Sequence, residues 1–392
     1  MASRSLLGTF VEHMPRDGLM EKIIAAKPRV IKTGDVGVLR QLHDAIGEGT
    51  IYIARNFGYP DDFPSFIRGT TPQLAAERWV RDQEATILQA PFAYWEGFNE
   101  MANWSLMPQY GEFETERQRL LAIRGIHACI GNFSTGSPPI APDTDDPWEH
   151  FYPALEMAHR FQNILGLHEY GGYILSLAYG NNQRESMLQH RYNVFPDEWA
   201  LGWLFGRYRR VWKTHIEPNG WTGIRIAITE LGLDMALPDI TAALNDGVPT
   251  TAWPTCGKAW ARNENRPDTE QCYYEQLGWA DKQMSRDPYM VGATIFTWGS
   301  SEGRWREYDV NGNIGDKLFA DMKSHPYPAT SRVVISKPGL NLRTFPGLDA
   351  GVRKVLGYGE IVTEAATSAG WSHVATRNGY EGYCMTRYLE EV

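Results

Sequence analysis

The sequence predicts an α/β fold, a (β/α)8 TIM barrel, followed by a small all-β domain. Over the first 320 or so residues, short apolar strand-like segments alternate with segments of helical spacing. Alternation of this kind is typical of a parallel sheet with crossover helices. After about residue 331 the pattern changes to short alternating runs separated by turn residues, which favours a second, all-β unit.

Eight candidate strands are present, the number that a closed barrel needs. They span residues 6–13, 29–35, 50–57, 92–100, 127–134, 165–172, 225–232 and 290–300. The main competitor is a doubly wound open sheet. It usually has fewer strands, and no GxGxxG motif follows the first strand here.

Apolar positions recur at helical spacing between these strands. The predicted helices span residues 17–26, 36–46, 72–89, 114–126, 149–164, 195–214 and 269–285. Long loops follow several strands, at 56–71, 101–113, 134–148, 173–195 and 233–268. In a barrel of this kind the loops after the strands form the face that carries the active site.

The domain boundary is predicted in the polar, proline-containing segment KSHPYPATS, which is typical of a linker. Residues 1–322 would form the barrel and residues 332–392 the all-β domain. The runs RVVIS, GLNLRT, RKVLGYGEIVTEA, GWSHVAT and YEGYCMTRYL predict five or so strands in the second domain.

Charge and composition narrow the function classes. The net charge is −9, from 38 basic and 47 acidic residues, and no Lys/Arg-rich run occurs. This disfavours nucleic acids and anionic membrane surfaces as partners.

The sequence contains no apolar stretch of 18 residues, so no membrane span is predicted. The N-terminus lacks the apolar core of a signal peptide. We therefore expect either that the protein is not secreted by that route or that the peptide has been removed. The localisation is unknown in the first case and extracellular in the second.

Four cysteines are present: Cys129, Cys256, Cys272 and Cys384. No CxxC pair occurs, so neither a zinc nor a redox motif is predicted. Cys256 and Cys272 flank a loop-like segment and are the candidate pair in an oxidising compartment, but four free thiols are favoured.

Aromatic residues are abundant, with 14 Trp, 19 Tyr and 15 Phe. Such rings serve either the stacking of sugars or simply the core.

Two glutamates end predicted strands, where side chains open into the cleft of a barrel. Glu100 ends the fourth strand and Glu230 lies near the end of the seventh, so the two face each other across one barrel mouth. Other carboxylates near strand ends are Glu12, Asp35 and Glu169. A pair of carboxyl groups suits glycosidic bond cleavage, in which one donates a proton and the other attacks the anomeric carbon.

The segment YWEGFNE resembles the W-E-x-x-N-E motif that ends strand four in clan A glycoside hydrolases, a group of retaining TIM-barrel enzymes. The resemblance implies that Glu100 is the acid/base and that Asn99 contacts the sugar 2-hydroxyl. ITELG resembles the clan's strand seven and makes Glu230 the nucleophile. The likeness covers roughly residues 6–300.

Two further segments extend this resemblance. His168-Glu169-Tyr170 matches the clan's H-x-Y on strand six, which implies that Tyr170 bonds the nucleophile and that His168 lies in the substrate site. FTWGS matches the end of strand eight and implies that Trp298 is a sugar platform, with a core position as the alternative.

Three more residues near strand ends are candidates for substrate binding. Arg55 would keep a neighbouring nucleophile ionised, or else form a core ion pair. His13 lines the sugar site or packs in the core, and Asn132 is the weaker candidate.

Glu96 precedes Glu100 by four residues, so its side chain points to the same side of the predicted strand but lies about 13 Å back along it. We therefore expect a buried carboxylate paired with Lys32 or Arg55. No cofactor and no metal are expected, because the HExx stretch at His168 lacks the second histidine of a zinc protease motif.

Residues 332–392 resemble bacterial SH3 domains through GLNLRTFPG, GEIVTEAATSAGWSHV and the final GY…YL; Tyr383 stands where the family usually has a second tryptophan. The resemblance implies a possible cell-wall ligand for this domain, while a domain that only packs on the barrel or mediates assembly is the alternative.

The sequence thus predicts a retaining glycoside hydrolase that cleaves β-linked glycans. A non-catalytic carbohydrate-binding protein on a degenerate barrel and a structural or adaptor protein are the competing hypotheses.

Overall fold

The computed structural model describes most of the chain. The described residues are 5–12, 18–101, 103–140, 146–171, 175, 205–234, 252–263, 265–300, 305–324, 330–344, 347–368, 370–376 and 380–391. The predicted site residue His13 lies outside them, as do most of the long loops after the sixth and seventh strands.

Eight parallel strands close into a barrel in sequential order, which confirms the predicted fold and excludes the open sheet. The strands are β1 (Leu7–Val11), β2 (Val30–Thr33), β3 (Ile51–Ala54), β4 (Tyr94–Glu96), β5 (His127–Phe133), β6 (Ile164–Gly171), β7 (Arg225–Leu233) and β8 (Met290–Trp298). Each coincides with a predicted strand and is mostly shorter, because the polar strand ends turn into the mouth of the barrel.

Helices surround the barrel. They are α1 (Leu19–Ala26), α2 (Val36–Ile46), α3 (Phe63–Ile67), α4 (Pro72–Ile87), α5 (Met107–Ile123), α6 (Pro147–Phe161), α7 (Arg207–Val211), α8 (Gly257–Asn263), α9 (Thr269–Met284) and α10 (Asn313–Ser324). Side chains of Asp35, Thr71 and Asp146 accept hydrogen bonds from backbone N–H groups in the first turns of α2, α4 and α6. Such caps fix where these helices begin.

The three helices α3, α8 and α10 were not predicted. The predicted helix 195–214 is described only from residue 205, where α7 is followed by a π-helical turn, Trp212–Ile216. The helices pack on the outside of the barrel around one large apolar core. Within the described residues, no helix is long and apolar enough to span a membrane.

The barrel interior is layered. A small apolar cluster, which includes Val30, Ile53 and Ile164, fills the end where the strands begin. Above it lie buried charged residues, Lys32 and Glu96. At the end where the strands finish, aromatic rings of Phe10, Tyr170 and Phe296 form a third layer. Polar groups between two apolar layers are shielded from water, which strengthens their mutual electrostatics.

The C-terminal domain is a seven-stranded antiparallel sheet in the order β11-β10-β14-β13-β12-β9-β15. Its strands are β9 (Thr330–Val334), β10 (Leu340–Arg343), β11 (Val352–Leu356), β12 (Ile361–Ser368), β13 (Trp371–Thr376), β14 (Glu381–Met385) and β15 (Leu389–Glu391). The predicted number of five or so was too low. Two of the predicted runs each contain two strands, divided by a turn at 357–360 and by the 3-10 turn Thr386–Tyr388.

All four cysteines are buried and none forms a disulfide, so Cys256 and Cys272 are not paired with each other.

Candidate active site

The side chains of Glu100 and Glu230 meet at the mouth of the barrel. Their nearest carboxylate oxygens and a ring nitrogen of His168 all lie within 4.8 Å of one another. Glu230 projects from β7 and His168 from β6, while Glu100 sits four residues beyond the end of β4. Residues far apart in sequence therefore converge on one point.

Glu230 is held in a buried, positively charged environment. Its Oε1 lies 3.2 Å from Lys32 Nζ and 3.8 Å from the Arg55 guanidinium, and its Oε2 accepts a 2.8 Å hydrogen bond from the Tyr170 hydroxyl. Burial opposes ionisation, but the charges of His168, Lys32 and Arg55 and the bond from Tyr170 outweigh it and lower the pKa of Glu230 to about 2. Glu230 is therefore a carboxylate over the whole physiological range.

Glu100 is in a different environment. Its side chain is 39% exposed, against 10% for Glu230, and its Oε1 lies 2.7 Å from Nδ1 of His168. Its backbone has a φ of 47°, and its N–H donates to the carbonyl of Asn132 at 2.9 Å. A left-handed backbone is costly for a residue with a side chain and is found at sites where function requires a particular orientation.

Buried contacts beneath this turn fix its position. The guanidinium of Arg117 donates to the carbonyls of Trp95 and Cys129 and to the carboxylate of Glu114, so it ties β4 and β5 to α5. Gly97 is required because a Cβ there would lie 2.5 Å from Glu114 Oε1. The ion pair of Arg117 with Glu114 was not predicted from the sequence.

Asp61 was also missed. Its carboxylate accepts the backbone N–H of Asn99 at 2.7 Å and a guanidinium N–H of Arg55 at 3.0 Å. Arg55 in turn donates to Oδ1 of Asn99 at 2.5 Å. The three residues form a closed network that holds Asn99, the residue next to Glu100. Arg55 also lies 3.8 Å from Glu230, and its ion pair with Asp61 is partly exposed rather than in the core.

The expected burial of Glu96 is confirmed. It is 1% exposed, and its Oε2 lies 3.1 Å from Lys32 Nζ. Because Lys32 also contacts Glu230, one buried ammonium group links the two carboxylates.

Four of the predicted binding residues, Asn99, His168, Tyr170 and Arg55, lie around the two glutamates, and Tyr170 makes the implied hydrogen bond to Glu230. Asn132 is fully buried. Its side-chain oxygen accepts a hydrogen bond from the thiol of Cys129, and its backbone carbonyl accepts one from the backbone N–H of Glu100. Asn132 therefore contacts Glu100 through its backbone.

The prediction that Trp298 forms a sugar platform is wrong. Trp298 is 0% exposed and packs on Phe319 of α10, with ring centroids 4.5 Å apart. The pairing of β1 with β8 shifts register between Thr9 and Val11, so the strand's alternation does not carry through to its last residue. The unpredicted helix α10 covers the ring.

Other aromatic rings line the mouth instead. Phe296 contacts Phe10 and Tyr170, and the half-buried Trp305 packs edge-on against Phe296 with a centroid distance of 5.3 Å. On the Glu100 side, a cavity of about 650 Å³ is lined by Asn99, Glu100 and Trp104 among others. Aromatic rings thus lie on both flanks of the glutamate pair, and on the Glu100 side a ring borders the cavity.

Glu100, His168 and Glu230 present three potential metal ligands. However, Lys32 and Arg55 already supply the positive charge next to Glu230. A divalent cation at the same carboxylate would be repelled by both, so the arrangement fits organic acid–base chemistry better than metal binding.

Comparison with known proteins identifies the C-terminal domain. Residues 338–390 match the model of the bacterial SH3 domain family, which confirms the resemblance found in the sequence. No curated protein matches the chain.

Several solved structures are similar to the chain at low identity. An endo-β-1,3-glucanase of glycoside hydrolase family 128 from Amycolatopsis mediterranei is 10% identical, with 81% of this chain and 99% of that chain covered and a TM-score of 0.41. A curdlan-specific exo-β-1,3-glucanase of the same family from Blastomyces gilchristii is 12% identical (77% and 98% covered, TM-score 0.38). A family 5 glycoside hydrolase from Prevotella bryantii is 8% identical (82% and 98%, TM-score 0.42). Likenesses of this size carry no information on substrate or mechanism.

Proposed function

We propose that this chain is a retaining glycoside hydrolase with Glu230 as nucleophile and Glu100 as acid/base. The observation that carries the proposal is the short separation of two carboxyl groups with opposite environments. One is buried among cations and ionised; the other is partly exposed and contacts His168. Glycosidases assign the two roles by such a contrast.

The separation favours retention of configuration. Carboxyl groups about 5–5.5 Å apart leave no room for a water molecule behind the anomeric carbon, whereas inverting enzymes hold them about 6.5–9.5 Å apart. The ligand atoms of Glu100 and Glu230 lie within 4.8 Å. This supports direct attack by Glu230 rather than activation of water.

In the first step an oxygen of Glu230 bonds the anomeric carbon, the glycosidic C–O bond breaks, and the proton of Glu100 passes to the leaving oxygen. In the second step Glu100, now ionised, takes a proton from water. The water oxygen bonds the anomeric carbon, and the ester bond to Glu230 breaks. A single proton between Glu100 Oε1 and His168 Nδ1, 2.7 Å apart, satisfies both atoms in either state.

The substrate class we propose is a β-linked polysaccharide or oligosaccharide. The resemblance of the strand-four and strand-seven motifs supports the linkage, and the aromatic rings at the mouth suit the apolar faces of sugars. Residues 1–322 would form the catalytic domain, and residues 332–392 would serve as a targeting domain for a cell-wall glycan.

The test begins with release of reducing sugar from a panel of β-linked glycans. For a cleaved glycan, the matching 2-deoxy-2-fluoro glycoside with a dinitrophenyl leaving group should label Glu230, seen by peptide mass spectrometry. Proton NMR should show the β-anomer as the first product. The Glu230→Gln variant should neither cleave the glycan nor become labelled. The control is Lys22→Gln, which removes an exposed ion pair with Asp316 and should behave as wild type.

Inversion of configuration, or labelling of another residue, would contradict the assignment. Glycan binding without cleavage, equal in wild type and Glu230→Gln, would instead support the non-catalytic alternative.

A further inference from the structure

A second cavity lies at the opposite end of the barrel, where the strands begin. Its volume is about 590 Å³, within the range of small-molecule sites. One wall comes from the starts of β3, β4, β5 and β7, and the other comes from the C-terminal sheet. In TIM barrels this face usually serves stability, so a lined cavity here is unexpected.

Positive charge dominates its lining. Arg29, Arg225 and Arg353 border it, and the exposed Glu48 is the one acidic side chain among the described lining residues. Arg225 donates to the hydroxyl of Tyr94 at 2.7 Å, and within the described ranges it forms no ion pair with a carboxylate. Lost hydration and repulsion from Arg225 and Arg353 lower the pKa of the neighbouring His127.

Aromatic rings form much of the remaining lining. Tyr94 stacks on His127 with centroids 5.0 Å apart, and His373 packs on Tyr383 at 4.6 Å on the facing sheet. Tyr383 is the residue that stands where bacterial SH3 domains usually have tryptophan. The two domains also touch here, since a Cβ on Gly351 would lie 2.3 Å from the side chain of Gln162.

We propose that this interdomain cavity binds a small organic anion. Its oxyanion group would meet Arg225 and Arg353, and its ring would lie on the tyrosines. Guanidinium groups donate paired hydrogen bonds to carboxylate or phosphate oxygens. The aromatic walls require an organic body on the ligand, because a bare inorganic anion would leave them uncovered.

Calorimetric titration of the full chain tests this at low salt with four probes: D-glucuronate, glucose 6-phosphate, glucose and inorganic phosphate. The first three probes share a sugar ring: glucuronate carries a carboxylate, glucose 6-phosphate carries a phosphate, and glucose carries no charge. Inorganic phosphate is an anion without a ring. We expect one or both sugar acids to bind at least tenfold more tightly than glucose and than inorganic phosphate. Which of the two binds distinguishes a carboxylate from a phosphate ligand.

Two variants keep the test independent of folding. Arg225 belongs to the barrel, and Arg353 is exposed on the C-terminal sheet. The substitutions Arg225→Gln and Arg353→Gln should each weaken binding at least tenfold. Arg119→Gln, on the exposed face of α5, is the charge-matched control and should bind as wild type. Circular dichroism and thermal unfolding check that each variant folds.

The proposal is overturned if neither sugar acid binds at millimolar concentration, if glucose or inorganic phosphate binds as tightly as the sugar acids, or if folded Arg353→Gln binds like wild type. These results are independent of the glycosidase proposal, because this cavity and the glutamate pair lie at opposite ends of the barrel.

Discussion

The ammonium group of Lys32 lies 3.2 Å from the carboxylate of Glu230, and its side chain is inaccessible to solvent. The same group lies 3.1 Å from Glu96, which is equally buried. Salt screens a buried lysine shared by two carboxylates much less than it screens a surface charge, so Lys32 acts strongly on the proposed nucleophile. Lys32 therefore acts with His168 and Arg55 to keep Glu230 ionised.

We predict that removal of this charge shifts the pH profile. Lys32→Met alone leaves Glu96 buried without its cation, which costs about 3–5 kcal/mol of stability. The double variant Lys32→Met/Glu96→Gln removes that penalty. In the double variant the acid limb of kcat/KM should move upward by about one to three pH units, because the pKa of Glu230 rises when a neighbouring cation is lost.

The measurement is kcat/KM for an activated aryl glycoside between pH 2 and 8, a range that includes the pKa of about 2 for Glu230, with Glu96→Gln alone as the matched control. An unchanged acid limb in a folded double variant would show that Lys32 does not control Glu230.

The lowered pKa of Glu230 also predicts how stability depends on pH. Its folded pKa of about 2 lies below the usual 4.5, so its stabilising contribution is complete above pH 4.5 and is lost as pH falls toward 2. The size is about 3 kcal/mol at neutral pH, with about 2 kcal/mol lost by pH 3. Urea unfolding at pH 7 and pH 3 should therefore show a smaller loss in Glu230→Gln than in wild type. Equal losses would contradict the buried ion pair.

The proton-donor role proposed for Glu100 predicts a dependence on the leaving group. Glu100→Ala should slow substrates with poor leaving groups, such as oligosaccharides, by roughly 10²–10⁴-fold, the usual range for general acid catalysis. Dinitrophenyl glycosides need no proton for departure, so their first step should change little. Added azide should replace water in the second step and yield a β-glycosyl azide. A uniform loss across all leaving groups would assign Glu100 a structural role instead.

The predicted strand ends indicated that Glu100 and Glu230 share one barrel mouth, whereas Asn99, His168 and Tyr170 were found through the resemblance to clan A motifs. All eight strands were found because buried parallel strands are short apolar runs. The position of Glu96, four residues before Glu100 on the same side of the strand, predicted a buried carboxylate paired with Lys32 or Arg55, and the partner in the structure is Lys32. Asp61 and Arg117 were not found, because their roles depend on contacts between a loop or helix and the ends of distant strands. No local pattern records such contacts.

The two tryptophans near the end of β8 provide the last prediction. Trp298 is fully buried against α10, so Trp298→Ala should lower the free energy of unfolding by about 3–5 kcal/mol and leave KM unchanged in folded protein. Trp305 is half-buried beside Phe296 at the mouth, where a sugar face can lie on its ring. Trp305→Ala should raise KM roughly tenfold, about 1.4 kcal/mol, with little loss of stability. Michaelis–Menten kinetics and urea unfolding on both variants separate the roles. The reverse outcome, with KM raised only in Trp298→Ala, would mean that the structure assigns the platform to the wrong ring.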